Sequence, residues 1–199
     1  TRHAKSAERL GVDAISLDGF ECAGHPGEED IGNFVLQAQG GRALTGPFVC
    51  SGGVGTGKQL ASVLMLGASG VNMGTRFMAT KEAEIHENIK NALVEGGAGG
   101  TTLVMRSVRN TERVFRNETA LKVQEIEREF PGEFDKIHEY VKGENYRVSF
   151  QETGNVDDSV WSCGEVMSLI DDVKTCADLL EGMVEEAEVA LREGVNFIE

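Results

Sequence analysis

The chain lacks any apolar run approaching the roughly 18 residues that a membrane-spanning helix needs. Basic residues are scarce: 19 Lys and Arg stand against 33 Asp and Glu, a formal charge of −14. That balance argues against nonspecific attraction to nucleic acid or anionic lipid, both of which reward clustered cations. There is no C-x-x-C pair. The four cysteines, Cys22, Cys50, Cys163 and Cys176, are far apart and no histidine spacing completes a zinc site, so no metal is expected. They read as reduced thiols, mostly in apolar surroundings. No tandem repeat or low-complexity linker interrupts the 199 residues. The opening Thr1, Arg2 and His3 lead into a polar helix rather than a signal peptide. The expectation is a cytoplasmic globular protein, one domain or a large part of one.

What is present is an alternation. Residues 2–10 place Ala4, Ala7 and Leu10 at helical spacing, with Gly11 as a stop. "VDAISLDG" reads as a short buried strand ending at Gly19, and after an acidic, glycine-rich loop a helix is expected around Ile31 to Gln39. "FVCSGG" after Pro47 is a second strand. "GKQLASVLML" at 57–66 is a helix with Leu60, Val63, Leu64 and Leu66 on one face, and Val71 to Met73 forms a third strand. Strand, turn and helix recurring three times imply parallel strands covered by helices. Spacing alone leaves open whether the sheet is doubly wound or a (β/α)8 barrel. Further on, helical patterns run through 81–95, 111–129, 133–142 and 172–193, broken by "GGAGG" at 96–100 and by Pro131-Gly132. This half reads as a helical appendage whose last helix is strongly acidic.

Three glycine-bearing strand ends carry the chemistry. From Gly52, "CSGGVGTGKQL" reads G-x-x-x-x-G-K, one residue short of a P-loop. A P-loop needs a Ser or Thr hydroxyl on magnesium after its lysine, and Gln59 stands in that place after Lys58. One strand later comes "MGT", Met73 to Thr75. Two consecutive glycine turns suit a barrel phosphate site, where free amides and a helix N-terminus hold a monophosphate without lysine or metal. The first strand ends in "DGFECAGHPGEED", which places His25 near whatever the glycines hold, while the small Ala23 and Gly24 let a flat ligand approach. A histidine there can donate a hydrogen bond or take a proton, although it can also merely tie the turn together. Cys22 with His25 would need an orienting third group and an oxyanion hole that the sequence does not supply. Glu28, Glu29 and Asp30 are expected to cap the following helix. His86 and His138 read as solvated, His3 as terminal, and Trp161 and Met167 as core or interface residues.

Taken in order, "GVDAISLDGFECAGHPGEED", "PFVCSGGVGTGKQLASVLMLGASGVNMGTRF" and "MRSVRNTERVFRN" resemble the C-terminal part of the nitronate monooxygenase family, formerly 2-nitropropane dioxygenases. The "DGFECAGHPGEED" form is most similar to members described as NADH:quinone reductases. The resemblance implies an α/β fold. Residues 1–80 would be the last three βα units of an FMN-binding TIM (β/α)8 barrel, and 81–199 a mainly helical cover segment with a C-terminal helix. It implies that Ser51, Gly52, Gly53, Gly74 and Thr75 bind the FMN phosphate, that Ala23 and Gly24 lie along the flavin, and that His25 is the active-site histidine. The implied reaction is oxidation of an alkyl nitronate by O2, or alternatively NADH-driven reduction of a quinone, on a small-molecule substrate. The family's first five strands have no counterpart here. The chain is therefore expected to be a fragment whose open sheet edges favour a homo-oligomer.

Overall fold

In a computed structural model that describes every residue except Thr1, Phe197 and Glu199, the elements run in this order. They are α1 Arg2–Arg9, β1 Ile15–Asp18, α2 Asn33–Ala43, β2 Phe48–Ser51, α3 Gly57–Met65, β3 Gly70–Asn72 and α4 Thr75–Met78. Then come α5 Glu87–Glu95, β4 Thr101–Val104, β5 Glu112–Phe115, α6 Glu118–Glu129, α7 Phe134–Val141, α8 Glu144–Val148 and α9 Cys176–Val195. β1, β2 and β3 form a parallel sheet in that order, with Asp18 opposite Ser51 and Ser51 opposite Asn72. The three strand ends that carry the glycine loops are thus aligned side by side.

The sheet does not close into a barrel. Its first strand shows the consequence: Ile15 and Leu17 are buried but Ser16 and Asp18 are exposed, so β1 is a half-buried strand rather than the fully buried one expected. One face packs on helices, and on the other the β1 residues are exposed while Val49 is half-buried and Ser51 buried. The core on the packed face joins Ile15, Leu17, Phe48 and Cys50 to Leu36 of α2, Val63 of α3, and Leu179 and Met183 of α9. None of the described helices is long and apolar enough to cross a membrane.

α9 reaches this core because α3 turns its small residues toward it. The buried face of α3 is Gly57, Ala61 and Val63, whereas Leu64, expected on the buried stripe, is exposed. Small residues let two helix backbones approach closely. A Cβ at Gly57 would lie 2.5 Å from Glu186 Cβ and 2.7 Å from the Ala187 nitrogen.

The expected helix over 111–129 is a strand followed by a helix. β5 pairs antiparallel with β4, and Asn117 then caps α6 by accepting from the Ala120 amide at 2.8 Å. Asn117 is itself buried, donating to the Val156 and Ser159 carbonyls, which is why the chain breaks there. Val104, Val114, Val123 and Ile137 fill the core under this hairpin. Trp161 is buried as expected, stacked on Phe115 with ring centroids 4.4 Å apart and donating its indole N–H to the Val156 carbonyl. Met167 is buried beside Ile89 and Leu93. His86 is half-buried rather than solvated, because it is the N-cap of α5 and its Nδ1 accepts from the Asn88 amide. His138 is exposed.

The packing of α3 on α9 gives a paired prediction. Gly57→Ala should lower stability by about 1–3 kcal/mol through overpacking. Gly182→Ala, at an α9 position where a Cβ meets nothing within 4 Å, should raise it by about 0.5–1 kcal/mol through backbone entropy. Thermal denaturation of the two variants checks both, and equal shifts would refute the close contact.

Candidate active site

The turn after β2 is built on two successive left-handed glycines, Gly52 at φ 77° and Gly53 at φ 72°. Gly52 is required twice over. Its φ disfavours any side chain, and a Cβ would lie 2.5 Å from Cys22 Cα and 2.8 Å from the Cys22 nitrogen. Gly53 is only a little less crowded, its Cβ position lying 3.0 Å from Glu21 Cβ. The β2 turn is therefore pressed against the loop that follows β1. Its carbonyls are held in place: the side chain of Asn33 donates to the Ser51 and Gly52 carbonyls at 3.0 and 2.6 Å, and that of Gln59 donates to the Gly53 carbonyl at 2.6 Å.

The amides of Gly52, Gly53 and Gly74 have no acceptor among the described residues. Around Gly74 there is room, since a Cβ there would meet nothing within 4 Å. The hydroxyls alongside are partly used. Ser51 Oγ accepts from Asn72 Nδ2 at 3.3 Å, and Thr75 Oγ1 accepts from the Gly164 amide at 2.9 Å. Each is buried, and each keeps its own proton to donate. Amides without acceptors, two hydroxyl donors and open space at Gly74 are the components that an anion cradle would need.

The P-loop comparison fails on geometry as well as on residue type. Gln59 closes a capping box with Thr56, and its Oε1 also accepts from the Gly55 amide at 2.9 Å. The Gly57 amide at the start of α3 donates to Glu186 Oε2 at 2.6 Å. The positive end of α3 is thus already neutralised by a carboxylate from α9, so this helix terminus is not open to an anion. Lys58 is exposed.

Gly24, at φ 72°, is tied to the hairpin: its amide donates to the Arg113 carbonyl at 3.1 Å and its carbonyl accepts from the Arg113 amide at 2.6 Å. His25 is exposed in a cleft of about 730 Å³ whose lining includes Asp18, Glu28, Glu29 and Arg109. That lining does not include Gly52, Gly53, Gly74 or Thr75. Ala23 sits nearer the cradle, with its nitrogen 3.3 Å from the position a Cβ on Gly164 would take.

The acids after His25 do not cap α2. Glu21 does so, both of its carboxylate oxygens accepting from the Asn33 amide. Glu28 instead accepts from the Thr111 amide and hydroxyl, each at 2.8 Å, Asp30 pairs with Arg106, and Glu29 is exposed. The reason is long-range: the β4–β5 hairpin, which the sequence did not announce, offers these acids donors that local helix geometry could not.

Sequence reasoning also missed Arg113, Gly164 and Glu165. Arg113 is buried, donates to the Phe20 carbonyl, lies 4.6 Å from the centre of the Phe20 ring and pairs with Glu165 at 2.8 Å. Its Nη2 is buried with no partner among the described residues. The Glu165 amide donates to the Glu21 carbonyl. Arg113 lies within the quoted "MRSVRNTERVFRN", but nothing in its spacing says which loop it supports. Asn117, by contrast, stands at the N-cap of α6, a position that favours Asn.

Cys22 is no nucleophile. Burial, reinforced by the Asp18 charge, pushes its thiol up to about 11, and burial pushes Cys50 and Cys163 up to about 12. At pH 8 iodoacetamide should therefore modify Cys176, the half-buried cysteine, well before the other three, which should react on unfolding. Peptide mass spectrometry reads the order, and early labelling of Cys22 would refute this picture. Hydrogen bonds from the Thr111 amide and then its hydroxyl hold the Glu28 carboxyl below the usual range. A depressed folded value means that the clasp contributes above the unfolded value and is lost as pH falls through the folded one. Glu28→Gln should loosen the loop at neutral pH, seen as faster hydrogen exchange at Thr111. Unchanged exchange would show that Glu28 is not the clasp.

With this geometry in view, the comparisons are specific. The family model described as nitronate monooxygenase matches residues 1–186. A (3aS,4S,5R,7aS)-5-hydroxy-7a-methyl-1-oxo-octahydro-1H-indene-4-carboxyl-CoA dehydrogenase of Mycobacterium tuberculosis is 26% identical across 100% of this chain and 66% of its own length. A nitronate monooxygenase of Paraburkholderia phytofirmans is 33% identical over 51% of this chain and 30% of its own. The structure of FabK from Thermotoga maritima superposes with a TM-score of 0.90 at 30% identity, covering 98% of this chain and 60% of that one. The matches thus span 66%, 30% and 60% of these relatives' own lengths, and the α/β fold corresponds to part of the barrel of the solved structures. It belongs to the nitronate monooxygenase family.

Proposed function

We propose that this chain supplies the phosphate-side portion of an FMN site in a flavin-dependent oxidoreductase. The observation that carries the reading is the pair of left-handed glycines, Gly52 and Gly53, whose amides have no acceptor among the described residues, with open space at Gly74 at the end of the neighbouring strand. This cradle fits a terminal phosphate, which takes hydrogen bonds from amides and hydroxyls and needs no metal. The amides of Gly52, Gly53 and Gly74 and the hydroxyls of Ser51 and Thr75 would hold it. Ala23 and Gly24 would leave the ring face unobstructed. When bound, FMN supplies the electron transfer. His25 would orient the substrate and accept or return a proton at a ring nitrogen.

For the substrate, the family description and the Paraburkholderia relative support an alkyl nitronate oxidised with O2, with NADH and a quinone as the alternative pair on the same anchors. A second reading, a CoA thioester, is favoured by one observation: the mycobacterial CoA-thioester dehydrogenase is similar along the whole chain, whereas the nitronate monooxygenase is similar over half. A nucleotide-binding P-loop is disfavoured by the positions of Gln59 and Glu186.

The test completes the barrel by joining this chain to the N-terminal part of the Thermotoga protein on which it superposes. The chimera should retain FMN on purification. Gly74→Ala should lose most of it without lowering the melting temperature, because the new methyl enters only ligand space, and Lys58→Ala should retain it. A chimera that folds but takes up no FMN would sink the proposal. His25→Ala should keep the flavin and lower turnover by about 10²–10⁴-fold. Oxygen uptake with propionate 3-nitronate, benzoquinone-dependent NADH oxidation and flavin reduction by an acyl-CoA then separate the three substrate readings.

A further inference from the structure

The acidic chain carries a cationic concavity whose lining shares no residue with the glycine cradle. α1 and α2 flank a groove of about 510 Å³ lined by Arg2, Lys5, Arg9, Gln39, Arg42 and Ala43. Arg2, Lys5 and Arg9 recur along one face of α1, and Arg42 stands in the last turn of α2. No carboxylate lines the groove, and none of the four cations forms an ion pair with another described residue. The one acid of α1, Glu8, is turned elsewhere: its Oε1 accepts from the Thr45 amide and hydroxyl and from the Gly46 amide. That clasp ties α1 to the turn after α2 and fixes the width of the groove. Lys5 feels Glu8 through space and Arg2 also borders the His25 cleft with its acids, but no carboxylate enters the groove, so an anion between the four cations relieves their mutual repulsion.

We propose that this groove binds a small organic molecule bearing two or more phosphate groups. Three arginines present planar forks matched to phosphate oxygens, Lys5 adds a point charge and the Gln39 amide a neutral donor. The volume falls within the range of small-molecule sites. Size also decides against a membrane or a polynucleotide. At about 8–10 Å, the screening length in physiological salt, an extended polyanion feels the net charge of −14 and is repelled. A ligand that fits inside the groove lies closer to the four cations than that length. The inference does not rest on the flavin reading, since it uses none of the residues that would hold the flavin, although Arg2 also borders the His25 cleft.

Isothermal titration of the protein with inorganic pyrophosphate tests it. One site is expected, weakening as salt is raised. Arg9→Gln/Arg42→Gln should lose affinity by about tenfold or more per arginine, as loss of a charge-assisted hydrogen bond implies. Arg2→Gln/Lys5→Gln should also weaken binding, and Lys58→Gln should not. All these side chains are exposed, so far-UV circular dichroism should be unchanged. Absence of pyrophosphate binding overturns the proposal. So does binding that survives both double substitutions, which would place the anion in the glycine cradle instead. Cosedimentation with phosphatidylglycerol vesicles that pyrophosphate does not displace would assign the groove to a membrane surface and equally overturn it.

Discussion

The close approach of the Gly52 backbone to Cys22 is the constraint from which the rest of the site follows. Two loops on adjacent parallel strands come nearer than any side chain permits, so the first residue after β2 has to be glycine in a left-handed conformation. That approach turns the Ser51 and Gly52 carbonyls toward Asn33, whose amide holds both. Asn33 in turn starts α2, and its backbone N–H is satisfied by Glu21 from the same loop as Cys22. Sheet, loop and helix therefore share one hydrogen-bonded junction. The open amides beside it are left over because the carbonyls, not the N–H groups, carry the structural bonds.

The second half of the chain serves the first through polar contacts that would mean little alone. Glu28 on Thr111, Asp30 on Arg106 and the reciprocal backbone bonds of Gly24 and Arg113 fasten the histidine loop to the hairpin. Arg113 completes the attachment from within, sandwiched between the Phe20 ring and Glu165. Surface ion pairs are weak when isolated, but here the backbone bonds and a buried guanidinium fix the geometry and the acids only add to it. α9 acts differently. It packs Leu179 and Met183 into the core of the parallel sheet and uses Glu186 to close the start of α3.

Electrostatics follow a similar division. Against the surplus of acids, four cations without an ion pair among the described residues gather between α1 and α2, while Glu8 is committed to the neighbouring turn. Net charge governs what the protein attracts from afar, and the groove governs what it can hold at contact distance.

The sequence by itself determined the parallel βα repeat, the two glycine turns and the family. These depend on local patterning, on glycine's special backbone freedom and on motifs read in order. Gln59 already spoke against a P-loop by its chemistry. Only the tertiary structure decided which acids cap which helix, because Glu28 and Asp30 satisfy donors more than 75 residues away. It also decided that residues 112–115 are a strand, since β5 exists by pairing with β4 and Gly24, whatever helical periodicity the residues show. The roles of Arg113, Gly164 and Glu165 were illegible for the same reason. They act on partners distant in sequence, and no spacing rule encodes a contact that folding creates.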